Sequence, residues 1–335
     1  MSIFAFTKIL GDIHNWFHML ARNYSIDNLK ILCALLIVFL HTGFEFHNQI
    51  LPVTRCAVPC FFMISGYLLF NGRSVGVERL KRGIRQILGI MIWATVLYAV
   101  CKETDSVLDG TYYLPSWTDL LNFVVFNENP FGYHLWYLGA YLYVLFIALL
   151  ADRYSKWKYL FYAIPVLLSC NLILSHALPV ETYSHFYIRN FLFEGLPYFS
   201  LGAFLKTERC AWLFRISHVK WFWLCVLFAV TSELENLETG VLKEHFVSTI
   251  FLSVSLFVLM VSFKQDRPTL ISSLGAKYSL YIYVFHLLFL IYFFPYLNTY
   301  LSDTWNTIYG YGAPLIIFVA TILFTDLLYR VRIIR

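Results

Sequence analysis

The sequence predicts an all-α fold: a polytopic membrane helix bundle of about 10 transmembrane helices, with both termini in the cytoplasm. Three observations lead to this: the composition, the repeated long apolar runs and the distribution of basic residues. Of the 335 residues, 59% are hydrophobic and only 13% are charged, whereas soluble globular domains carry about 25% charged residues. So few charges cannot cover a water-soluble surface of this size, so the bilayer must be part of the solvent.

The predicted spans follow from the length of apolar sequence that a bilayer requires. A helix needs about 20 apolar residues to cross the hydrocarbon core, and such runs recur with short breaks from Asn28 to Arg330. The seventh run is short. An even number of spans returns the chain to the side on which it began. The predicted spans are 28–47, 53–70, 85–101, 133–151, 158–176, 187–205, 220–234, 246–263, 278–295 and 310–329.

The basic residues predict which side holds the termini. If the N-terminus is cytoplasmic, all but four of the 25 Lys and Arg residues fall on the inner side. The four exceptions are Arg55, Lys102, Arg189 and Lys243. Because cytoplasmic loops carry an excess of Lys and Arg, this orientation is strongly favoured.

The chain divides into one membrane domain and two short ends. Residues 1–24 are predicted to form a cytoplasmic or interfacial segment, because Leu10, Ile13, Trp16, Phe17 and Leu20 recur at helical spacing, typical of a helix on a membrane surface. Residues 25–330 form the membrane domain, and residues 331–335 form a short basic cytoplasmic tail. The seven cysteines show no paired metal-ligand spacing, so we expect no metal site. We also expect no nucleic-acid partner.

The first span carries ionisable residues, which are costly inside a membrane and therefore point to function. His41 follows Lys30 by eleven residues, which is about 16 Å along a helix and close to three full turns. Both side chains therefore share one face. Glu45 lies four residues beyond His41, where one further helical turn would let its carboxylate orient the imidazole. The alternative is a histidine that hydrogen-bonds between helices as a packing contact.

The second inner loop is strongly basic. Arg79, Lys81, Arg82 and Arg85 lead into the third span. Arg82 and Arg85 are three residues apart, so together they suit a phosphate group. An anionic cytoplasmic ligand and anionic membrane lipid are equally compatible with this cluster.

The outer side offers aromatic and imidazole groups. The loop 102–132 contains Tyr113 and Trp117, and His134 and Trp136 follow at the start of the fourth span. Long loops of this kind are often functional. An aromatic belt at the membrane interface is the alternative explanation.

In order along the chain, these motifs resemble those of the acyltransferase 3 family of integral membrane acyltransferases, in its stand-alone O-acetyltransferase form. The likeness extends from about Tyr24 to Arg330 and rests on the ordered set rather than on any one motif. The matching segments are Ile26–Lys30 through His41, Pro59–Tyr67, the pair Arg82 and Arg85, His134–Trp136, and Tyr278–His286.

The resemblance implies an enzyme of the plasma (inner) membrane that moves an acyl group, usually acetyl, from cytoplasmic acyl-CoA to a hydroxyl of a cell-surface glycan or lipid-linked sugar. The family's essential histidine corresponds to His41, which implies a general base or an acylated intermediate. Lys30 stands where the family usually has arginine; lysine keeps the charge but loses the bidentate fork.

The remaining site residues fall into an inner and an outer set. The resemblance implies that acyl-CoA, with acetyl-CoA as the donor, is bound by the inner set, and we expect the outer set, as aromatic and imidazole groups at the outer interface, to contact the acceptor. The membrane lipid is a further expected partner. The inner set is Arg79, Lys81, Arg82, Arg85 and Ser65, and the outer set is His134, Trp136, Trp117 and Tyr113.

Two other functions compete with this interpretation. A transporter or flippase for a polar solute or glycan precursor would also use intramembrane Lys30, His41, Glu45 and Glu194, although no inverted repeat with paired broken helices is visible. A non-catalytic membrane partner or sensor would use the basic loop for lipid alone.

Overall fold

The computed structural model describes residues 23–178, 185–240 and 243–332. Within these ranges the chain is helical and contains no strand, which confirms the predicted all-α class. The predicted interfacial helix around Leu10–Leu20 lies outside the described residues. So does the end of the predicted basic tail.

We number the α-helices in chain order. Short 3₁₀ turns and two π-helical turns, Phe191–Gly195 and Leu288–Phe293, connect some of them. The helices are α1 (Tyr24–His41), α2 (His47–Thr54), α3 (Ala57–Leu69), α4 (Val77–Leu108), α5 (Trp117–Phe126), α6 (Trp136–Arg153), α7 (Trp157–Ala177), α8 (His185–Ile188), α9 (Leu196–Leu205), α10 (His218–Thr239), α11 (Val247–Ser262), α12 (Leu270–Leu287), α13 (Phe294–Asn298) and α14 (Asp303–Arg330).

The number of helices that can cross a membrane is smaller than predicted. Among the described residues seven helical segments are long and apolar enough, or eight if the pair Glu208–Arg215 and His218–Thr239, bent by 91°, is one span. Two of the predicted runs form helices that are too short, Phe191–Leu205 and Val247–Ser262. The count of about ten is therefore not confirmed, and the cytoplasmic placement of both ends stays a prediction.

The described residues form two compact units. The first comprises the described parts of 1–61, 213–242 and 246–335, and the second those of 62–212 and 243–245. Each is described by itself below.

In the first unit, α1 packs tightly against α12. A Cβ atom added at Gly275 would lie 1.9 Å from the backbone oxygen of Asp27, so only glycine permits this approach. An apolar cluster continues the contact, with Ile31, Ala34 and Val38 of α1 against Tyr278 and Ile282 of α12. Small residues bring membrane helices together in this way because dispersion contacts between backbones replace the hydrophobic effect.

The second unit shows the same kind of packing between α3 and α9. A Cβ atom at Gly66 would meet the backbone oxygen of Phe199 at 1.9 Å, and one at Gly202 would meet that of Met63 at 2.1 Å. Two glycines on opposite helices therefore fix this crossing.

Candidate functional site

Helix α1 carries the predicted catalytic histidine at its last residue. The helix begins where the side chain of Asn23 accepts a hydrogen bond from the Ser25 amide, which satisfies one of the donors left over at a helix start. It ends at His41 because Thr42 takes an extended backbone conformation. Lys30 and His41 therefore lie on one continuous helix, as the sequence predicted.

His41 stacks against a second histidine of the same unit, His286 of α12. The two imidazole ring centroids are 5.3 Å apart and the ring planes meet at 30°. His286 is completely buried. A stacked imidazole flanks His41 and limits the orientations that its ring can adopt.

The hydrogen bonds of His286 define its tautomer. Its Nδ1 lies 2.9 Å from the carbonyl oxygen of Tyr283 and 3.1 Å from that of Ile282. Carbonyl oxygens only accept hydrogen bonds, so Nδ1 carries the hydrogen and donates it. In the neutral ring the basic lone pair is consequently on Nε2. The sequence motif contained His286, but nothing local indicated that it would meet His41.

Lys30 is paired with an acidic residue that the sequence analysis had not assigned. Its Nζ lies 2.8 Å from Oδ1 of Asp27, one helical turn earlier, and both side chains are largely buried. The ion pair compensates a charge that would otherwise be costly in an apolar environment. Lys30 thus has a local partner and lies at the opposite end of α1 from His41.

Glu45 does not occupy the position that was predicted for it. Because α1 ends at His41, Glu45 is in the following turn and is exposed. Its amide donates to the backbone oxygen of Gly310. The spacing of four residues would place Glu45 beside His41 only in a continuing helix, so its assignment as an orienting carboxylate loses its geometric basis.

In the second unit, Arg79 holds the end of a helix. Its guanidinium donates to the backbone oxygens of Leu68 and Leu69, each at 3.0 Å. These are two of the carbonyl groups left without partners at the C-terminus of α3. Arg79 is half-buried, and its two donated hydrogen bonds give it a structural role besides the predicted ligand contact.

The other basic residues at the start of α4 are exposed. Lys81 pairs with Glu78 at 2.8 Å, and Nε of Arg85 lies 3.4 Å from the backbone oxygen of Lys81. Arg82 and Arg85 are spaced at i and i+3 on one helix and both are exposed. The helix therefore brings this pair of guanidinium groups together as predicted.

Ser65 and the outer-side residues also lie in the second unit. The hydroxyl of Ser65 is hydrogen-bonded to Tyr141 of α6. The ring of His134, which is buried, meets Tyr98 edge to face with ring centroids 4.7 Å apart. Trp136 is half-buried at the first position of α6. Ser65 and His134 are thus already engaged within the protein.

The predicted sugar-contacting residues of the long loop differ in exposure. Tyr113 donates from its hydroxyl to the backbone oxygen of Pro130, while Lys102 places its Nζ 3.4 Å from the ring centroid. Burial raises the pKa of Tyr113. Trp117 is 74% exposed at the start of α5. Of these two, Trp117 is the one with a free aromatic surface.

One further group of polar residues was only partly recognised from the sequence. Glu194 had been noted as an intramembrane acid, but its neighbour His245 had not been linked to it. Their side chains approach to 3.4 Å and both are buried. Within the described ranges, no group of three His, Cys, Asp or Glu side chains is arranged to hold a metal ion.

Comparison with known proteins gives one family and a few distant relatives. Three matches are to racemases. An amino-acid racemase of Enterococcus faecalis is 25% identical over 74% of this chain and 37% of its own length, and a second amino-acid racemase of that organism is 34% identical over 36% of this chain and 18% of its own length. A serine/alanine racemase of Enterococcus gallinarum is 24% identical over 79% of this chain and 40% of its own length. The chain thus spans less than half the length of these relatives. No solved structure matches it.

The family match covers nearly all of the chain. A family model described as an acyltransferase domain matches residues 23–330, the same region that carries the ordered motifs. It contains His41, the basic pair of α4 and His286. The chain belongs to the acyltransferase 3 family of membrane acyltransferases.

Proposed function

We propose that this chain transfers an acetyl group from cytoplasmic acetyl-CoA to a hydroxyl group of a cell-surface glycan or a lipid-linked sugar. Membership of the family supports acyl transfer as the reaction class. The proposal adds the donor, the acceptor and the residues that act on them. The observation that carries it is the stack of His41 on His286, whose tautomer is fixed by two carbonyl groups.

His41 acts as general base in this proposal. It takes the hydrogen of the acceptor hydroxyl while the hydroxyl oxygen attacks the thioester carbonyl carbon. The carbon–sulfur bond then breaks, and the CoA thiolate takes up the proton. Proton transfer by a positioned group typically contributes about 10²–10⁴-fold. His286 is the positioning residue, because it holds the ring of His41 from one side.

The donor is bound by the exposed basic face of α4. Arg82 and Arg85 present two guanidinium groups on neighbouring turns, which suits the phosphates of CoA, and Lys81 adds a third cation. Arg79 contributes less, because it already donates two hydrogen bonds to α3. For the acceptor, the exposed ring of Trp117 is the best-supported contact among the predicted outer residues.

The central experiment replaces His41 with glutamine in the full chain. We expect acetyl-CoA-dependent acetylation to fall by about 10²–10⁴-fold, with unchanged membrane insertion. His176→Gln is the matched control, because that histidine is exposed on α7 and has no assigned role. Wild-type activity in the His41 variant would refute the proposed base.

A second measurement distinguishes a base from a covalent carrier. In the alternative mechanism His41 itself attacks the thioester and becomes acylated before the acceptor arrives. Incubation with labelled acetyl-CoA alone, followed by peptide mass spectrometry, would detect an acetyl-histidine at position 41. Its absence under conditions of active turnover would favour direct transfer.

Donor binding is tested separately from chemistry. Arg82→Ala/Arg85→Ala is expected to abolish saturable acetyl-CoA binding, whereas Trp117→Ala is expected to leave donor binding unchanged and weaken acceptor use. Equal donor affinity in the double variant would remove α4 from the donor site. The acceptor itself is identified by mass spectrometry of surface glycans with and without the protein, where one acetyl unit is the expected difference.

A further inference from the structure

Helix α5 of the second unit turns an apolar face outward. Its ten residues extend over about 15 Å, which is too short to cross a hydrocarbon core of about 30 Å. Exposed apolar side chains recur at positions i, i+3, i+4 and i+7, which is one face of a helix. They are Trp117, Leu120, Leu121 and Val124. A contiguous exposed apolar face marks an interaction surface.

Helix α4 shows how deep the end of this segment lies. No residue between Arg85 and Lys102 is charged, so this stretch is the part of α4 that suits the hydrocarbon core. Thr95 lies seven residues before Lys102, about 10 Å along the axis. Nδ2 of Asn129 donates to Oγ1 of Thr95 at 2.7 Å, so Asn129 lies inside the uncharged stretch. Exposed apolar side chains recur at every fourth position of that stretch: Leu88, Ile92, Val96 and Val100.

Helix α6 gives a similar depth independently. A Cβ atom added at Gly139 would lie 3.1 Å from Cβ of Asn127, so the residue that ends α5 touches α6 there. Gly139 is six residues past Tyr133, the first residue of the candidate span Tyr133–Arg153, or about 9 Å along it. The hydroxyl of Tyr143 donates to the backbone oxygen of Val124 at 2.6 Å. The end of α5 is therefore anchored beside the interior of both helices.

The start of α5 lies closer to the border that Lys102 marks. Just before the helix, the amide of Tyr113 donates to Oε2 of Glu103 at 3.2 Å. The first turn carries a charged residue, because Ser116 and Asp119 form a capping box there. A charge is far less costly at the membrane border than in the hydrocarbon core. Helix α5 thus runs from the border inward.

The non-helical residues after α5 have the hydrogen bonds that a membrane interior requires. Oδ1 of the buried Asn129 accepts from the amides of Phe131 and Gly132 at 3.0 and 3.2 Å. The backbone oxygen of Pro130 accepts from Nζ of Lys102 at 2.9 Å. Non-helical backbone at membrane depth is tolerated only where it is buried in protein or lines a water-filled cavity. The side chains of Asn129 and Lys102 supply this protection.

We propose that residues 117–132 form a re-entrant segment whose helix α5 lies against lipid acyl chains. The segment enters the bilayer at the border marked by Lys102 and returns to the same border before α6 begins. The exposed face of α5 is apolar, which favours lipid over a water-filled cavity. It also favours lipid over a second copy of the chain, because lipid tails already match apolar side chains and leave little to gain from association. Trp117 lies at headgroup level, where tryptophan is enriched.

The depth is tested by adding a tryptophan to the full chain in lipid nanodiscs. We expect the extra emission of Leu121→Trp to be quenched by lipids with brominated acyl chains as strongly as that of Val96→Trp, which is on the exposed stripe of α4. Asp109→Trp is the water-exposed control, because position 109 lies about 10 Å beyond Lys102, and its extra emission is expected to stay unquenched. Should Leu121→Trp fail to fold, Val125→Trp replaces it, since Val125 is also exposed. Quenching no stronger than in Asp109→Trp would refute the re-entrant segment.

The occupant is tested by photo-crosslinking. Val124 is replaced by the photoreactive amino acid p-benzoylphenylalanine, the nanodiscs are irradiated, and the products are analysed by mass spectrometry. An adduct with lipid is expected. A product of twice the chain's mass, a product with another protein or the absence of a lipid adduct would overturn the assignment to lipid. The inference does not rest on acyl transfer, so an inactive His41 variant would leave both tests unchanged.

Discussion

Gly275 offers a direct test of how the first unit is held together. The perturbation is Gly275→Ala, which adds one methyl group at the crossing of α1 and α12. Its Cβ would lie 1.9 Å from the backbone oxygen of Asp27 and 2.8 Å from the adjoining carbonyl carbon. A backbone atom cannot rotate away as a side chain does, so the helices themselves must move.

The size of the effect follows from that distance. To reach an ordinary contact of 3.4 Å, the two backbones must separate by about 1.5 Å, which removes much of the dispersion energy along the crossing. Overpacking in a well-packed core costs about 1–3 kcal/mol, and we expect the upper end of that range. At about 1–2 °C per kcal/mol for a chain of 335 residues, the unfolding midpoint falls by about 3–6 °C.

The assay is thermal unfolding of the purified protein in detergent. The protein that remains folded after each heating step is measured by size-exclusion chromatography. The control is Gly310→Ala in α14, where a Cβ has no atom within 4 Å. Alanine is favoured over glycine in a helix by about 0.5–1 kcal/mol, so the control is expected to be neutral or slightly more stable. Equal midpoints for Gly275→Ala and Gly310→Ala would refute the close approach of α1 and α12.

Three further predictions concern polar contacts. Arg79→Ala should lower the unfolding midpoint, because two C-terminal carbonyls of α3 lose their donor, while acetyl-CoA affinity changes little; a large loss of affinity at unchanged stability would contradict the capping role. Lys30→Met should destabilise the protein by about 3–5 kcal/mol, because the buried carboxylate of Asp27 loses the cation that lies 2.8 Å from it, and adding Asp27→Asn should restore most of this; no recovery in the double variant would contradict the pairing. The hydrogen bond from Ser116 holds the pKa of Asp119 below its ordinary value of 3.8. The stability that the carboxylate gives to the start of α5 is therefore present above the ordinary pKa and lost as the pH falls through the lowered one. Amide exchange at the first turn of α5 should accelerate over that pH interval relative to Asp119→Asn, and identical profiles would contradict this.

The sequence predicted those elements that depend on the residues of a single segment. Helix α1 and the basic residues that lead into the third predicted span were anticipated, because apolar length and charge are visible in the chain itself. The position predicted for Glu45 was wrong because the prediction continued helix α1 past Thr42, where the backbone becomes extended. The stack of His41 on His286 joins residues 245 positions apart, and no local pattern encodes such a contact.

The two π-helical turns explain why the buried polar groups were the hardest part to predict. Glu194 lies within the turn Phe191–Gly195, and His286 directly precedes Leu287 and the turn Leu288–Phe293. Each turn leads into a helix with a proline in its first two positions, Pro197 and Pro295. Proline has no amide hydrogen, so the regular hydrogen bond to the fourth preceding residue is missing at that point, which makes a wider turn less costly. A π-helical turn shifts the following side chains around the axis relative to an α-helix. Projections that assume 3.6 residues per turn are therefore least reliable within and after each turn, as at Glu194.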